Sequence, residues 1–146
     1  MYSGGEMKDS LKPGIEYVHK FLVPADKTVS ALYPEAEEFV VMPEVFATGF
    51  LVGFIEWACI KAINPYLNWP EEQTVGVGID IKHLAATPPG LEVTAKVKLL
   101  QADGRRLLFD VEVYDEIELI SRGKHERVII IKEKFDARIK QKVNNR

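Results

Sequence analysis

Residues 45–63, VFATGFLVGFIEWACIKAI, form the longest apolar stretch of the chain and predict its fold. The stretch contains no proline, whereas Pro43 and Pro65 flank it, so it is predicted to be the one long helix. Its large apolar side chains occur on every side of the helical wheel rather than along one stripe. We therefore expect the rest of the chain to wrap around this helix.

The segments on either side of the helix predict a β-sheet. Residues 24–43 read as a surface loop with one short helix, and from residue 74 onward apolar and polar residues alternate with the period of a strand. Asp103-Gly104 and Asp115-Glu116 are predicted to be tight turns. The predicted strands cover residues 15–23, 74–82, 91–101, 105–114 and 117–134. An antiparallel sheet of about five strands around one central helix is the hotdog fold, an α+β architecture.

Composition and charge narrow the functional classes. A chain of 146 residues with a net charge of −3 is the size of one domain and is a poor non-specific binder of nucleic acid. Glu56 and Lys61 interrupt the apolar stretch, which argues against a membrane span. Cys59 is the only cysteine, so no intrachain disulfide is possible and a reducing cytoplasm is expected.

The chain is interpreted as one domain with short ends. Residues 1–13 are polar and lack the apolar core of a secretory signal, so they are expected to form a flexible N-terminal segment. Residues 14–142 are expected to form the hotdog domain and residues 143–146 a C-terminal tail.

Two polar side chains inside the apolar helix are candidates for chemistry. Thr48 and Glu56 fall within an arc of about 80° on the helical wheel, so they share a face. A buried carboxylate is costly unless it is paired, and burial favours the role of a general base. The structural alternatives are that Glu56 points out through a gap or pairs with Arg127, and that Thr48 caps the helix.

Further candidates lie on the predicted strands. His83 follows the second strand and could form an acid/base relay with Glu56, although a structural role is common for a single histidine. His125 and Arg127 are expected on the inner side of the last strand, and Arg127 could pair with Glu56, bind a ligand or lie at a subunit interface. Gly76 could let a ligand or a helix approach the backbone closely. Cys59 reads as a small buried apolar residue.

Because metal-ligand spacing and a phosphate loop are both missing from the sequence, no metal and no cofactor are expected.

Three segments resemble one known family: PEVFATGFLVGFIEWAC at 43–59, HLAATPPGLEVTAKV at 83–97 and SRGKHERVIIIKEKF at 121–135. They are similar to the fluoroacetyl-CoA thioesterases, which are hotdog proteins, and the similarity covers about residues 14–142. The resemblance implies a homodimeric acyl-CoA thioesterase with Thr48, Glu56 and His83 as catalytic residues. It also implies substrate-binding roles for Gly76, near the thioester carbonyl, and for Arg127.

The resemblance also identifies one difference that bears on the substrate. Fluoroacetyl-selective members carry two phenylalanines where this chain has Phe39 and Met42, which we expect to contact the acyl group. Because methionine is flexible, a preference for short-chain or otherwise small acyl-CoA substrates is expected rather than selectivity for fluoroacetyl-CoA. The alternatives are a non-catalytic acyl-CoA-binding hotdog protein and a hotdog enoyl-CoA hydratase or dehydratase.

Overall fold

The computed structural model describes residues 10–146 and confirms the α+β hotdog architecture. Its strands are β1 (Glu16–Leu22), β2 (Glu72–His83), β3 (Glu92–Asp103), β4 (Arg106–Tyr114) and β5 (Leu119–Ile131). Its α-helices are α1 (Glu37–Val40), α2 (Thr48–Ile63) and α3 (Lys132–Asn144). None of the helices between residues 10 and 146 is long and apolar enough to cross a bilayer.

The strands form one antiparallel sheet in the order β1-β3-β4-β5-β2 among the described residues, so β1 and β2 are its edges. The alternation that predicted β4 holds, since Leu107, Phe109, Val111 and Val113 are all buried. Helix α2 packs on this inner face of the sheet. Its buried residues are Leu51, Phe54, Ile55, Ala58, Cys59, Ala62 and Ile63. The core therefore lies between α2 and the sheet, but the chain does not enclose the helix on every side as predicted, since Trp57 on α2 is 45% exposed.

The central helix begins later than its composition predicts. Residues 45–47 are not helical, because Phe46 forms a β-bridge with Thr28 and donates its backbone N–H to the Thr87 carbonyl at 2.7 Å. These contacts hold the backbone in an extended form that the apolar pattern does not reveal. Thr48 is therefore the first residue of α2, following the N-cap residue Ala47.

The last predicted strand is too long. Residues 132–134 belong to α3, so α2 is not the only long helix in residues 10–146. Strand β5 ends where its neighbour does: Ile131 pairs with Glu72, the first residue of β2. Beyond this pair none of the strands in residues 10–146 is available to bond the extended backbone, and Lys132 donates its N–H to the Glu71 carbonyl as the helix starts. Residues 1–9 of the predicted N-terminal segment lie outside the described residues.

Candidate active site

Glu56 lies on α2 where the helix faces β2 and β5. Its carboxylate Oε2 forms an ion pair with Nη1 of Arg127 at 2.9 Å, while the Glu56 side chain remains 38% exposed. The structure therefore places Glu56 at an opening, not in the closed interior that the all-round apolar helix predicted. One of the alternatives from the sequence, pairing with Arg127, is observed.

Arg127 is buried, with 3% of its surface exposed, and its position is fixed by hydrogen bonds from its guanidinium. Nε donates to the Thr74 hydroxyl and Nη2 donates to the Thr74 carbonyl, both at 2.8 Å. Nη1 contacts Nε2 of His125 at 3.0 Å in addition to Glu56. A buried cation requires such partners, since an unpaired charge in the interior costs several kcal/mol.

Thr48 and His83 form the second group. The Thr48 hydroxyl is 2.8 Å from Nδ1 of His83, which is the last residue of β2. Burial is the main cause that lowers the pKa of His83, so the imidazole is neutral near pH 7. Its Nε2 atom is buried and has no hydrogen-bond partner among residues 10–146. Thr48 therefore contacts His83, and its side chain does not cap α2.

The hydrogen bonds of the described residues thus join the predicted site residues in two pairs. Thr48 is bonded to His83, and Glu56 is bonded to Arg127. The relay expected between Glu56 and His83 does not appear as a direct hydrogen bond in residues 10–146. A substrate or a water molecule between Glu56 and His83 would allow a proton to pass between the two side chains.

Gly76 leaves room for the Glu56 carboxylate to lie against the backbone of β2. It lies on β2 directly opposite Arg127, next to a bulge in which Val77 has no partner on β5. A Cβ atom at Gly76 would collide with Oε2 of Glu56 and would approach both Nη1 of Arg127 and Cε1 of His125 to 3.3 Å. The missing side chain is therefore a requirement of the local packing, in agreement with the close approach that the sequence predicted.

The remaining predicted residues have simpler surroundings. Phe39 lies on α1 and its ring stacks on Tyr33 with a centroid distance of 6.0 Å, whereas Met42 follows this helix and is 45% exposed. No hydrogen bond or ring contact of the described residues joins either of them to Glu56. Cys59 is fully buried and its pKa is raised to about 12, chiefly by burial, which agrees with its interpretation as an apolar residue.

Two polar residues of the site were missed or left without a role. His125 was predicted to face inward, but its contacts with Arg127 and with the Gly78 carbonyl were not foreseen. Thr74 appeared only as the start of a predicted strand. The available signal was the inward position of His125 and Arg127, because two neighbouring polar residues on a buried face must bond to something.

Comparison with known proteins agrees with this architecture. The profile of the fluoroacetyl-CoA-specific thioesterase family, FlK, matches residues 23–133. The fluoroacetyl-CoA thioesterase of Streptantibioticus cattleyicolor is 50% identical over 136 residues, which cover 93% of this chain and 97% of that protein. A threonine-to-serine variant of FlK, solved in complex with acetyl-CoA, has a TM-score of 0.88 at 48% identity and covers 90% of this chain and 98% of its own.

A more distant structure supports the fold alone. A hot-dog-like protein from Thermanaerovibrio acidaminovorans is 18% identical and has a TM-score of 0.75, covering 89% of this chain and 91% of its own. The match to the family profile and the identity of 50% to a member concern most of the chain. The protein therefore belongs to the fluoroacetyl-CoA-specific thioesterase family of hotdog proteins.

Proposed function

We propose that this chain hydrolyses a short-chain or otherwise small acyl-CoA to the free acid and CoA, and that Glu56, His83, Thr48 and Gly76 act on the thioester. The observation that carries the proposal is the Glu56 carboxylate, which is 38% exposed, lies against the bare backbone of Gly76 and is held by Arg127. A partly exposed carboxylate in a fixed position can meet a carbonyl carbon that approaches from the solvent side. The thioesterase family and the relative solved with acetyl-CoA support this substrate class.

The proposed reaction uses each group at a stated atom. The Glu56 carboxylate either attacks the acyl carbon or accepts a proton from the water that attacks it. The N–H of Gly76 donates to the oxyanion that forms on the carbonyl oxygen. When the C–S bond breaks, the electron pair leaves on the CoA sulfur, and the neutral His83 ring assists the departing thiolate by donating a hydrogen bond to it. Thr48 orients the His83 ring through the hydrogen bond between its hydroxyl and Nδ1.

The proposal is tested by measuring thiol release from acetyl-, fluoroacetyl-, longer-chain and aromatic acyl-CoA. We expect hydrolysis of small acyl-CoA substrates by the unmodified chain and loss of most turnover in Glu56→Gln and in His83→Ala, with folding retained by circular dichroism. Glu112→Gln, on the outer side of β4, is the control and should retain full turnover. Because Cys59 is buried, a thiol reagent reports released CoA without a background signal from the native protein.

Two results would reject the proposal. Tight binding of acyl-CoA without thiol release would indicate the non-catalytic protein, and loss of enoyl absorbance without thiol release would indicate the hydratase. Near-native hydrolysis by both Glu56→Gln and His83→Ala would reject the assignment of these residues while leaving the reaction itself in place.

Met42 and Phe39 are proposed to contact the acyl group. Met42 is exposed, so its side chain is available to a ligand, and Phe39 packs on Tyr33 in the same segment. We expect Met42→Phe to raise the ratio of kcat/KM for fluoroacetyl-CoA to that for longer acyl-CoA substrates, because a rigid ring restricts the space. An unchanged ratio would remove Met42 from the acyl site.

A homodimer is proposed as the working form. Edge strand β2 carries the exposed side chains of Val77 and Ile79, and it borders the opening at Glu56. Edge strands with exposed apolar side chains are commonly covered by a partner. A second copy on this edge would cover these side chains and provide another wall for the site.

The buried thiol of Cys59 supports a reducing compartment such as the cytoplasm.

A further inference from the structure

The Arg127 guanidinium is fixed on more sides than an ion pair with Glu56 requires. Four of its five N–H groups have acceptors among residues 10–146: the hydroxyl and carbonyl of Thr74, Nε2 of His125 and the Glu56 carboxylate. Of these acceptors, only Glu56 belongs to a side chain with substantial exposure, since His125 is 2% exposed and Thr74 is 7% exposed. The buried acceptors determine the plane of the guanidinium, and this plane determines where Glu56 is held.

The hydrogen bonds of His125 determine its tautomer. Its Nδ1 atom is 2.7 Å from the carbonyl oxygen of Gly78, which only accepts hydrogen bonds, so Nδ1 carries the proton. The opposite atom, Nε2, must then be the lone pair that accepts from Nη1 of Arg127. A doubly protonated ring would place two N–H donors against each other. The neutral ring is therefore the form that supports Arg127.

The bulge in β2 makes both contacts possible. Gly76 pairs with Arg127 and Gly78 pairs with Glu126, so Val77 is the additional residue between them. This shift places the Gly78 carbonyl beside the His125 ring, while Gly76 leaves the space occupied by the Glu56 carboxylate. One irregularity in the edge strand therefore provides an anchor for His125 and an opening for Glu56.

We propose that His125 and Thr74 are positioning residues for thioester hydrolysis, which orient the Arg127 guanidinium so that Nη1 holds the Glu56 carboxylate at the Gly76 opening. The catalytic part of this inference rests on the proposed function of Glu56. His125 acts only through Arg127. Its loss therefore removes no reacting group, but it lets the Glu56 carboxylate leave the position from which it acts on the thioester. Misplacement of a reacting group by about 1 Å is sufficient to reduce turnover about 100-fold.

Two matched pairs of variants test the proposal. His125→Phe removes both hydrogen bonds, whereas His125→Gln supplies an amide N–H for Gly78 and an amide oxygen for Arg127. Thr74→Val removes the hydroxyl acceptor and Thr74→Ser retains it. We expect kcat to fall by about 10- to 100-fold in His125→Phe and Thr74→Val with little change in KM, and to recover in His125→Gln and Thr74→Ser. Glu126→Gln, which lies between His125 and Arg127 in sequence, is the control and should leave kcat unchanged.

A spectroscopic measurement separates this inference from the proposed function. In the unmodified chain, the fixed guanidinium should give separate NMR signals for Nη1 and Nη2 of Arg127, identified by their loss in Arg127→Lys. In His125→Phe these signals should merge as rotation about the guanidinium becomes free. If they stay separate, or if His125→Phe keeps its kcat, the positioning role is overturned. If Glu56→Gln remains active while the signals merge in His125→Phe, the proposed role of Glu56 is wrong but the orientation of Arg127 by His125 stands.

Discussion

Arg127 determines the geometry of the candidate site, because its buried guanidinium must be matched by acceptors. Its acceptors come from three elements, with Glu56 on α2, Thr74 on β2 and His125 on β5 itself. The site is therefore assembled only when the helix and both strands are in place.

Gly76 lies against the Glu56 carboxylate, so a side chain at this position should reduce activity. Gly76→Ala should reduce kcat/KM about 100-fold or more, since its Cβ would displace the Glu56 carboxylate from the opening. The matched control is Gly53→Ala on the exposed side of α2, where none of the described residues comes within 4 Å of the added Cβ. Thiol release from acetyl-CoA measures both, and equal activity of the two variants would contradict the prediction.

The sequence predicted part of this site for physical reasons. Thr48 and Glu56 were recognised because polar residues on an apolar helix are conspicuous, and Arg127 was recognised as a possible partner of Glu56. The Thr48–His83 hydrogen bond was not predicted, since it joins residues 35 positions apart and depends on the distance between the start of α2 and the end of β2. Helical periodicity gives positions around a helix but not the distance from its end to a strand.

At the scale of the elements, the pairing of β5 with β2 depends on Gly123. Its φ of +154° is rarely adopted by other residues, and a Cβ there would collide with the Asp80 carbonyl oxygen and with Cα of Ile81 on β2. These two strands carry Thr74, Gly76 and Arg127, so their close approach positions the site.

Gly123→Ala should lower the free energy of unfolding by about 3 kcal/mol, because both the backbone conformation and the strand separation would have to change. The control is Gly104→Ala in the β3–β4 turn, where φ is also positive at +60° but nothing lies within 4 Å of the added atom. This control should cost about 1 kcal/mol. Urea unfolding measures both, and equal losses would show that the contact with β2 is unimportant.

The carboxyl of Glu72, at the start of β2, is expected to make the free energy of unfolding depend on pH. The carboxyl is buried, and one of its oxygens accepts from the Asn68 N–H while Oε2 has no partner among the described residues. Burial raises the pKa of Glu72 above its ordinary value of 4.5, and the Asn68 hydrogen bond opposes this shift only in part. The folded state therefore favours the neutral acid, so this contribution to stability is present at pH values below 4.5 and is lost as the pH rises through the folded pKa.

Glu72→Gln should thus raise the Tm relative to the unmodified chain at about pH 8, and the difference should shrink toward about pH 4. The amide oxygen of glutamine keeps the hydrogen bond from Asn68, so the substitution changes mainly the charge. Glu71→Gln, on the neighbouring exposed residue, serves as the control for the loss of one negative charge. A stability difference that does not depend on pH would contradict the prediction.

The elements differ in how well a pattern predicts them. Strand β4 was predicted nearly to its ends because its side chains alternate strictly, and α2 was recognised by its continuous apolar composition. Helix α3 was missed because neither proline nor glycine separates Lys132 to Lys134 from the apolar run before them, while the pairing that would keep them extended stops at Glu72. Whether a strand continues depends on a neighbour, and the residues of the strand itself do not record where the neighbour ends.

At the scale of the whole molecule, the two edges of the sheet are unequal. Val77 on β2 and Val18 on β1 have the same exposure of 53%, yet only β2 borders Glu56 and Gly76. If the homodimer forms along β2, a charged side chain introduced on β2 should weaken the dimer more than the same side chain introduced on β1.

Light scattering is expected to give twice the chain mass of 16.5 kDa for the unmodified protein and for Val18→Lys. Val77→Lys should shift the population toward the monomer, since a lysine on a pairing edge disfavours association, and should lose turnover at the same time. A dimer that survives Val77→Lys, or one that is disrupted by Val18→Lys instead, would place the contact elsewhere.

The extended stretch before α2 has a consequence for the evolution of such enzymes. Thr87 accepts the Phe46 N–H with its carbonyl and donates its hydroxyl to the Asp115 carboxylate, which in turn accepts the backbone N–H groups of Ile117 and Glu118. A continuous series of polar bonds thus runs from a remote hairpin to the residues just ahead of Thr48. Substitutions in that hairpin can therefore alter the position of Thr48 while every reacting group keeps its identity.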